Sequence, residues 1–422
     1  MKINKKSLNI SIIAIVLYFT VTLVRYFKDA IFKSNTYIAI VILVTLGIFI
    51  IQMIKTNHGK IPFKQLDYAW LLILLLMIIN RNWEYEWLRT LMCIVGVLSY
   101  FFIGNNIYYI KYGMVICVFF AVLTAVISWF SIFDYNGYLA FLQNLYTPTV
   151  INSIASFYRQ GMMSGLTTHY SSNTFYMISA IIILLSDSWA YRVGQKKDKK
   201  YINWIIILFL LITSLMVGKR GHLIFLMATI FISFLFMTIN NSKKLKQIFL
   251  SIFAIILGLP FIIQKIPQTA NFFTRLFGDN GGDILNGRGD LYSLAIKMFI
   301  SNPILGRGYG SFSVLMNLQN PGVHNDYLQF LCEWGLVGFV VCMIAYGGSL
   351  YSAYRLYKCL SNEVYSVDER RLVIWSFMFQ LFVTFYSLTG IPHYDFEVFM
   401  LYCLACAVPQ NIIRYKKRQA II

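Results

Sequence analysis

The chain has 422 residues, of which 58% are hydrophobic and only 13% charged, and its formal net charge is +19. Runs of about 20 apolar residues recur along it, the length that a helix needs to cross hydrocarbon; this excludes an ordinary soluble domain, and the lack of alternating ten-residue segments excludes a membrane β-barrel. The positive charge sits in short Lys and Arg clusters between apolar runs, which is a topology signal, and no fold-borne basic surface points to nucleic acid.

Apolar spans buried in lipid must satisfy their backbone groups internally, so they are expected to be helices. The predicted fold is all-α, a polytopic transmembrane helical bundle forming a single integral membrane domain over 1–422. The basic start, with Lys2, Lys5 and Lys6 before an apolar run and no clear cleavage site, reads as a retained signal-anchor. Spans are predicted at 7–26, 35–54, 66–81, 88–104, 108–130, 170–186, 203–217, 221–240, 247–263, 328–354, 372–388 and 396–411, about twelve crossings. Both termini are then cytoplasmic. That orientation puts the dense basic clusters, such as Lys196 to Lys200, Lys243 to Lys246 and Arg414 to Arg418, on the cytoplasmic side. The seven cysteines lie mostly in apolar runs without metal-ligand spacing and read as small buried hydrophobes.

Two outer segments are long. The first, 131–169, carries Arg159 and ends at His169; Arg159 is a candidate contact for an anionic substrate. Lys219 and Arg220 follow in the short outer turn between two apolar spans. Arginine's planar fork suits a diphosphate, although lipid phosphate would satisfy it too. Lys219 reads better as a snorkelling side chain.

The second outer segment, 264–327, is a large and partly helical extracytoplasmic loop. Beyond Arg275 it holds Arg288, which opens a stretch in which Leu291, Leu294, Ala295, Met298 and Phe299 recur at helical spacing. That helix is expected to lie against the membrane domain or along its surface and to end before Pro303. Arg288 at its start either helps to bind an anion at the free N–H groups or pairs with Asp290 or Asp283. Gly306, Arg307, Gly308, Tyr309 and Gly310 follow. This cluster lacks the Lys and Ser/Thr of a nucleotide phosphate loop; Arg307 either touches phosphate or a lipid headgroup, or belongs to a plain turn.

His324 falls where the loop re-enters the membrane and could accept a proton from a sugar hydroxyl. Asn325 or Asp326 caps the next helix, or Asp326 orients the histidine. Glu333 lies about two turns farther on, where an ionisable group needs a reason: an arginine partner or an acceptor substrate. His393 sits in a short outer turn with Pro392, Tyr394 and Asp395. HExxH and outer acidic pairs of the metal-using kind are missing, so neither a catalytic metal nor another cofactor is expected. Outward arginines with one histidine suit transfer from a lipid diphosphate, with the arginines neutralising the leaving group and His324 activating a hydroxyl.

Three pieces resemble the O-antigen ligase and polymerase (Wzy/WaaL-like) family of bacterial envelopes: Ser214-Leu-Met-Val-Gly-Lys-Arg220; Arg288 with its helix and Asn302-Pro-Ile-Leu-Gly-Arg-Gly-Tyr-Gly-Ser-Phe312; and His324-Asn-Asp-Tyr-Leu-Gln-Phe-Leu-Cys-Glu-Trp-Gly-Leu-Val-Gly338. The resemblance implies inverting, metal-independent glycosyl transfer from an undecaprenyl-diphosphate-linked oligosaccharide at the outer face of a bacterial cytoplasmic membrane. It assigns the diphosphate to Arg220 and Arg288 and the essential histidine to His324. Arg307, Arg159, Asp326, Glu333 and Lys219 remain substrate-binding candidates that it carries less forcefully. It also implies membrane lipids as surroundings, with flippase and chain-length regulator proteins as partners. A Lys-, Asn- and Ile-rich composition tilts the expectation from ligation onto lipid A core toward a polymerase of capsular or other surface polysaccharide. A transporter or flippase is the competing class. It would place polar groups within a central cavity, often on discontinuous helices, whereas here they collect on one side.

Overall fold

A computed structural model describes residues 64–82, 87–102, 109–190, 198–238, 288–317, 322–361 and 365–419, with residue 107 and scattered positions between 12 and 51. All regular elements among these residues are helical. The predicted spans 7–26 and 35–54 lie mostly outside the described residues. The span 247–263, the loop portion 264–287, Arg275 and Asp283 lie wholly outside them.

Helices occupy every predicted span from 66–81 to 221–240 and from 328–354 onward. They are α1 (Gln65–Ile79), α2 (Trp87–Phe102), α3 (Ile110–Phe133), α4 (Tyr135–Gln143), α5 (Pro148–Arg159), α6 (Tyr170–Ala190), α7 (Asp198–Val217), α8 (Arg220–Thr238), α9 (Gly289–Ser301), α10 (Ser311–Leu315), α11 (Asp326–Lys358), α12 (Val367–Tyr386) and α13 (Phe396–Gln419). Ile110–Phe133, Tyr170–Ala190, Asp326–Lys358 and Phe396–Arg414 are long and apolar enough to cross a membrane by length and composition. The shorter apolar helices are Gln65–Ile79, Arg89–Phe101, Tyr201–Val217 and Arg220–Phe236.

The chain divides into two compact units, one of Met1–Thr22, Thr36–Gly113 and Asp283–Ile422, the other of Leu23–Asn35 and Met114–Gly282. In the first, α13 packs on α2 and α12, and α11 packs on α1, α9, α12 and α13. The apolar window of α13 is 94% buried, so it is a core helix of its unit. At the far end of the bundle from α11's start, Asp67 is buried and accepts bonds from the Tyr100 hydroxyl and from Arg414, tying α1, α2 and α13 together. Burying that carboxylate is tolerable because it is paired and hydrogen-bonded.

In the second unit, α6 packs on α7 and α8, and its apolar window is also 94% buried, against 33% for α3. The segment expected as the outer loop 131–169 forms α4 and α5 and then folds inward. Met162, Met163, Ser164, Gly165, Leu166 and Thr167 are all buried. Irregular backbone in such a place needs partners, and it has them. Leu166 N donates to Thr124 Oγ1, the Asn173 amide donates to the Met163 carbonyl, and Tyr138 and Tyr146 donate to the carbonyls of Gly165 and Leu166.

One predicted span departs from a plain helix. Within α11, Gly335 has φ 63° and ψ −167°, so the helix is broken there. A break frees backbone groups that hydrocarbon cannot satisfy. The segment between α9 and α10 meets this need: the carbonyls of Cys332 and Glu333 accept from Arg307 N and Gly308 N, while Leu336 N and Val337 N donate to the carbonyls of Pro303 and Ile304.

Candidate functional site

The glycine cluster is built as a knot against that break. Gly306 has φ 69°, a left-handed conformation that suits glycine. A Cβ on Gly306 would overlap the Glu333 carbonyl, and one on Gly335 would overlap the Ile304 carbonyl. On its other side the knot pairs with the end of α1: Tyr309 N donates to the Asn80 carbonyl at 2.7 Å and Asn82 N to the Tyr309 carbonyl at 3.1 Å.

Glu333 is fully buried at the centre of this knot. Its Oε2 accepts from Gly310 N at 2.9 Å and the Tyr394 hydroxyl at 2.6 Å. Its Oε1 accepts from Phe312 N at 3.1 Å and Gln329 Nε2 at 2.9 Å. Four donors are what a desolvated carboxylate needs. Among the described residues no arginine takes part, in contrast to the pairing considered from the sequence. Burial and then the adjoining Glu333 charge hold the Tyr394 phenol well above its ordinary range, so it remains a donor. The N–H groups of residues 306–310 are likewise spent within the protein, on Asn302, Cys332, Glu333 and Asn80. This backbone is a strut and not an anion cradle. The Arg307 side chain is exposed, with Nε donating to Ser301 Oγ at 3.2 Å.

Helix α9 forms for the reason expected. Ala295 and Met298 are buried against Phe312, Val323 and Cys332, with Leu291, Leu294 and Phe299 at the edge of the cluster. Arg288 stands at its N-cap, and no side chain caps the first turn. Its guanidinium does not pair with Asp290 among the described residues; Nη1 donates to the Thr389 carbonyl at 3.0 Å.

The same turn holds the start of α11. Asp326 N donates to the Ser387 carbonyl at 3.0 Å, and Asn325 Nδ2 donates to the Leu388 carbonyl at 3.2 Å. Three consecutive carbonyls, those of Ser387, Leu388 and Thr389, therefore fasten Asp326, Asn325 and Arg288. Asn325 is the N-cap, its Oδ1 accepting from Leu328 N at 3.1 Å. His324 precedes it, half-buried, with φ 58°. A non-glycine residue at positive φ is uncommon, and such strain gathers at functional sites. Asp326 bonds His393, not His324: its Oδ2 lies 2.6 Å from His393 Nδ1 and accepts from Ser387 Oγ at 2.9 Å.

The remaining candidates belong to the second unit. Arg220 begins α8 and is half-buried, following Gly218 at φ 84°. Lys219 Nζ sits 5.5 Å from the centre of the Tyr170 ring, a cation–π contact. His169 stacks on Tyr170 with centroids 4.4 Å apart, and its Nδ1 accepts from Ser171 N. Arg159 is exposed in the last turn of α5. The structure thus gathers Arg288, His324, Asp326 and Glu333 in the first unit and places Arg159, Lys219 and Arg220 in the other.

Sequence reasoning missed the parts played by Tyr394, Gln329 and the turn 387–389. The available signal was Glu333 itself: an acid in an apolar run demands donors, and Gln329 one turn before it is the nearest in sequence.

Residues 205–343 match the Wzy_C family model, described as O-Antigen ligase. The match spans about a third of the chain, from within α7 to within α11, and includes Arg220, Arg288, Arg307, His324, Asp326 and Glu333. It supports assignment of this membrane protein to the O-antigen ligase/polymerase family. No curated protein sequence matches the chain.

Proposed function

We propose, from the premise that this is a membrane protein of the O-antigen ligase/polymerase family, that it is a polysaccharide polymerase. It joins undecaprenyl-diphosphate-linked oligosaccharide repeat units by inverting, metal-independent glycosyl transfer at the outer face of the cytoplasmic membrane. In this reading a sugar hydroxyl of one lipid-linked unit attacks the anomeric carbon of another. The new glycosidic C–O bond forms as the bond to the diphosphate breaks. The hydroxyl proton passes to the His324 imidazole, and polyprenyl diphosphate leaves.

The observation that carries this reading is the shared anchorage of Arg288 and of the His324 segment on the turn 387–389. A leaving diphosphate gathers charge in the transition state, and preorganised donors stabilise it without reorganising. Arg288 has one nitrogen fixed by Thr389, stands at an uncapped helix start, and so is preorganised for an anion. Family resemblance gives Arg220 the same task. Arg307, exposed beside the exposed Ile304 and Leu305, would meet lipid headgroup or donor phosphate. Arg159 and Lys219 remain substrate-binding proposals. Asp326 and Glu333 would support the site through their protein bonds.

The description of the matched family favours a second reading, ligation of a lipid-linked glycan to lipid A core or another acceptor. Reconstituted protein with purified lipid-linked repeats, without nucleotide and with a chelator, separates the two. Polymer formed from the repeats alone supports polymerisation. Product appearing only on an added acceptor supports ligation, and no glycan transfer to either sinks both.

A further inference from the structure

Asp326 is fully buried, two residues beyond His324. A buried carboxylate without a partner is strongly unfavourable, and its strongest partner is His393 at 2.6 Å, itself 5% exposed. The imidazole has little freedom. It stacks on Tyr346 with centroids 4.4 Å apart and planes at 12°, and meets the edges or faces of Tyr402, Phe330 and Phe399 at 4.9, 5.4 and 5.9 Å. The His393 backbone N–H and Ser387 Oγ point at the same carboxylate oxygen. A rigid ring in an aromatic box is thus tied to the residue that fixes the strained start of α11.

We propose that His393 is a positioning residue for the transfer reaction: through Asp326 it holds the backbone that presents His324 and keeps it in register with Arg288. This rests on the functional reading above. His393 lies outside the matched family segment, 205–343. Its turn is continuous with the carbonyls that fasten Asn325 and Arg288, so loosening it displaces His324 against the leaving-group arginine. Misplacement by about 1 Å costs on the order of 100-fold in rate.

The test measures kcat and KM for the lipid-linked repeat in reconstituted wild type, His393→Leu, His393→Asn, His324→Ala and the double variant His324→Ala with His393→Leu. Leucine leaves Asp326 without its imidazole, whereas asparagine restores a nitrogen near the place of Nδ1. The expected results are a fall in kcat of about 30- to 100-fold for His393→Leu, a KM within about threefold, and recovery to within about fivefold of wild type for His393→Asn. In the His324→Ala background His393→Leu adds no further loss, since it acts through the missing imidazole. Wild-type kcat in His393→Leu, equal losses in the Leu and Asn variants, or the same fold-loss in the His324→Ala background overturns the inference alone. Normal turnover of His324→Ala overturns it together with the catalytic reading. If His393→Leu does not insert, Ser387→Ala carries the test: a loss of about five- to tenfold that vanishes in the His324→Ala background supports the proposal, and unchanged kcat overturns it.

Discussion

The Tyr394 hydroxyl lies 2.6 Å from Glu333 Oε2, and so the turn before α13 is bonded to the acid that anchors the glycine knot. The contact joins two structures that the sequence separates by 61 residues. It makes Glu333 a framework residue. Replacing it by Gln swaps one acceptor oxygen for an amide that faces donors, so Glu333→Gln should destabilise by about 2–4 kcal/mol. Tyr394→Phe removes one donor of four and should cost about 1–2 kcal/mol. Thermal unfolding in detergent ranks the two; a Gln variant as stable as wild type contradicts the assignment.

The break in α11 predicts a sharp contrast between two glycines of one helix. Gly335→Ala places a Cβ against the Ile304 carbonyl at positive φ, while a Cβ at Gly347 meets nothing within 4 Å. Gly335→Ala should lower stability by more than about 3 kcal/mol and uncouple the knot. Gly347→Ala should be neutral or stabilising by up to about 1 kcal/mol. Comparable melting temperatures for both variants would argue against a broken helix.

His324 combines a proposed chemical role with a strained backbone, and the two separate by substitution. Glycine accepts φ near 58° without penalty, whereas alanine retains it. His324→Gly should therefore be more stable than His324→Ala by about 1 kcal/mol, with transfer slowed by at least about 100-fold in both. Equal stability would remove the strain argument, and a wild-type transfer rate in either would remove the catalytic one.

For Arg288 the expected loss is in rate. Arg288→Ala should lower kcat by about 100- to 1000-fold, with a smaller change in KM, because charge grows on the leaving diphosphate only in the transition state. Arg288→Lys should recover only part of it, since a point charge cannot both hold the Thr389 carbonyl and present a planar fork. A change confined to KM would make Arg288 a ground-state binding residue.

Much of the helical plan was legible from hydropathy because lipid burial leaves few alternatives to a helix. The stripe Leu291, Leu294, Ala295, Met298 and Phe299 located α9 and its packed face. What stayed hidden has a common cause: it depends on tertiary partners. Periodicity treats 328–354 as one span because Gly335 is a tolerable helix residue, and only the apposed 303–308 backbone makes a break there sustainable. The inward course of 162–167 looks like loop until Thr124, Asn173, Tyr138 and Tyr146 appear as its donors and acceptors. Asp326 was visible as a cap or as a partner for His324. Its bond to His393, 67 residues away, was not, because no local pattern links them.

The central claim is that transfer consumes a lipid-diphosphate donor and depends on His324. The most direct measurement is the amount of polyprenyl diphosphate released per glycosidic linkage by the reconstituted protein, in wild type and in His324→Ala. The account predicts one released per linkage formed, without added nucleotide, and both products slowed by about 100- to 10,000-fold in the variant. Linkages formed without that release, or wild-type release by His324→Ala, would contradict it.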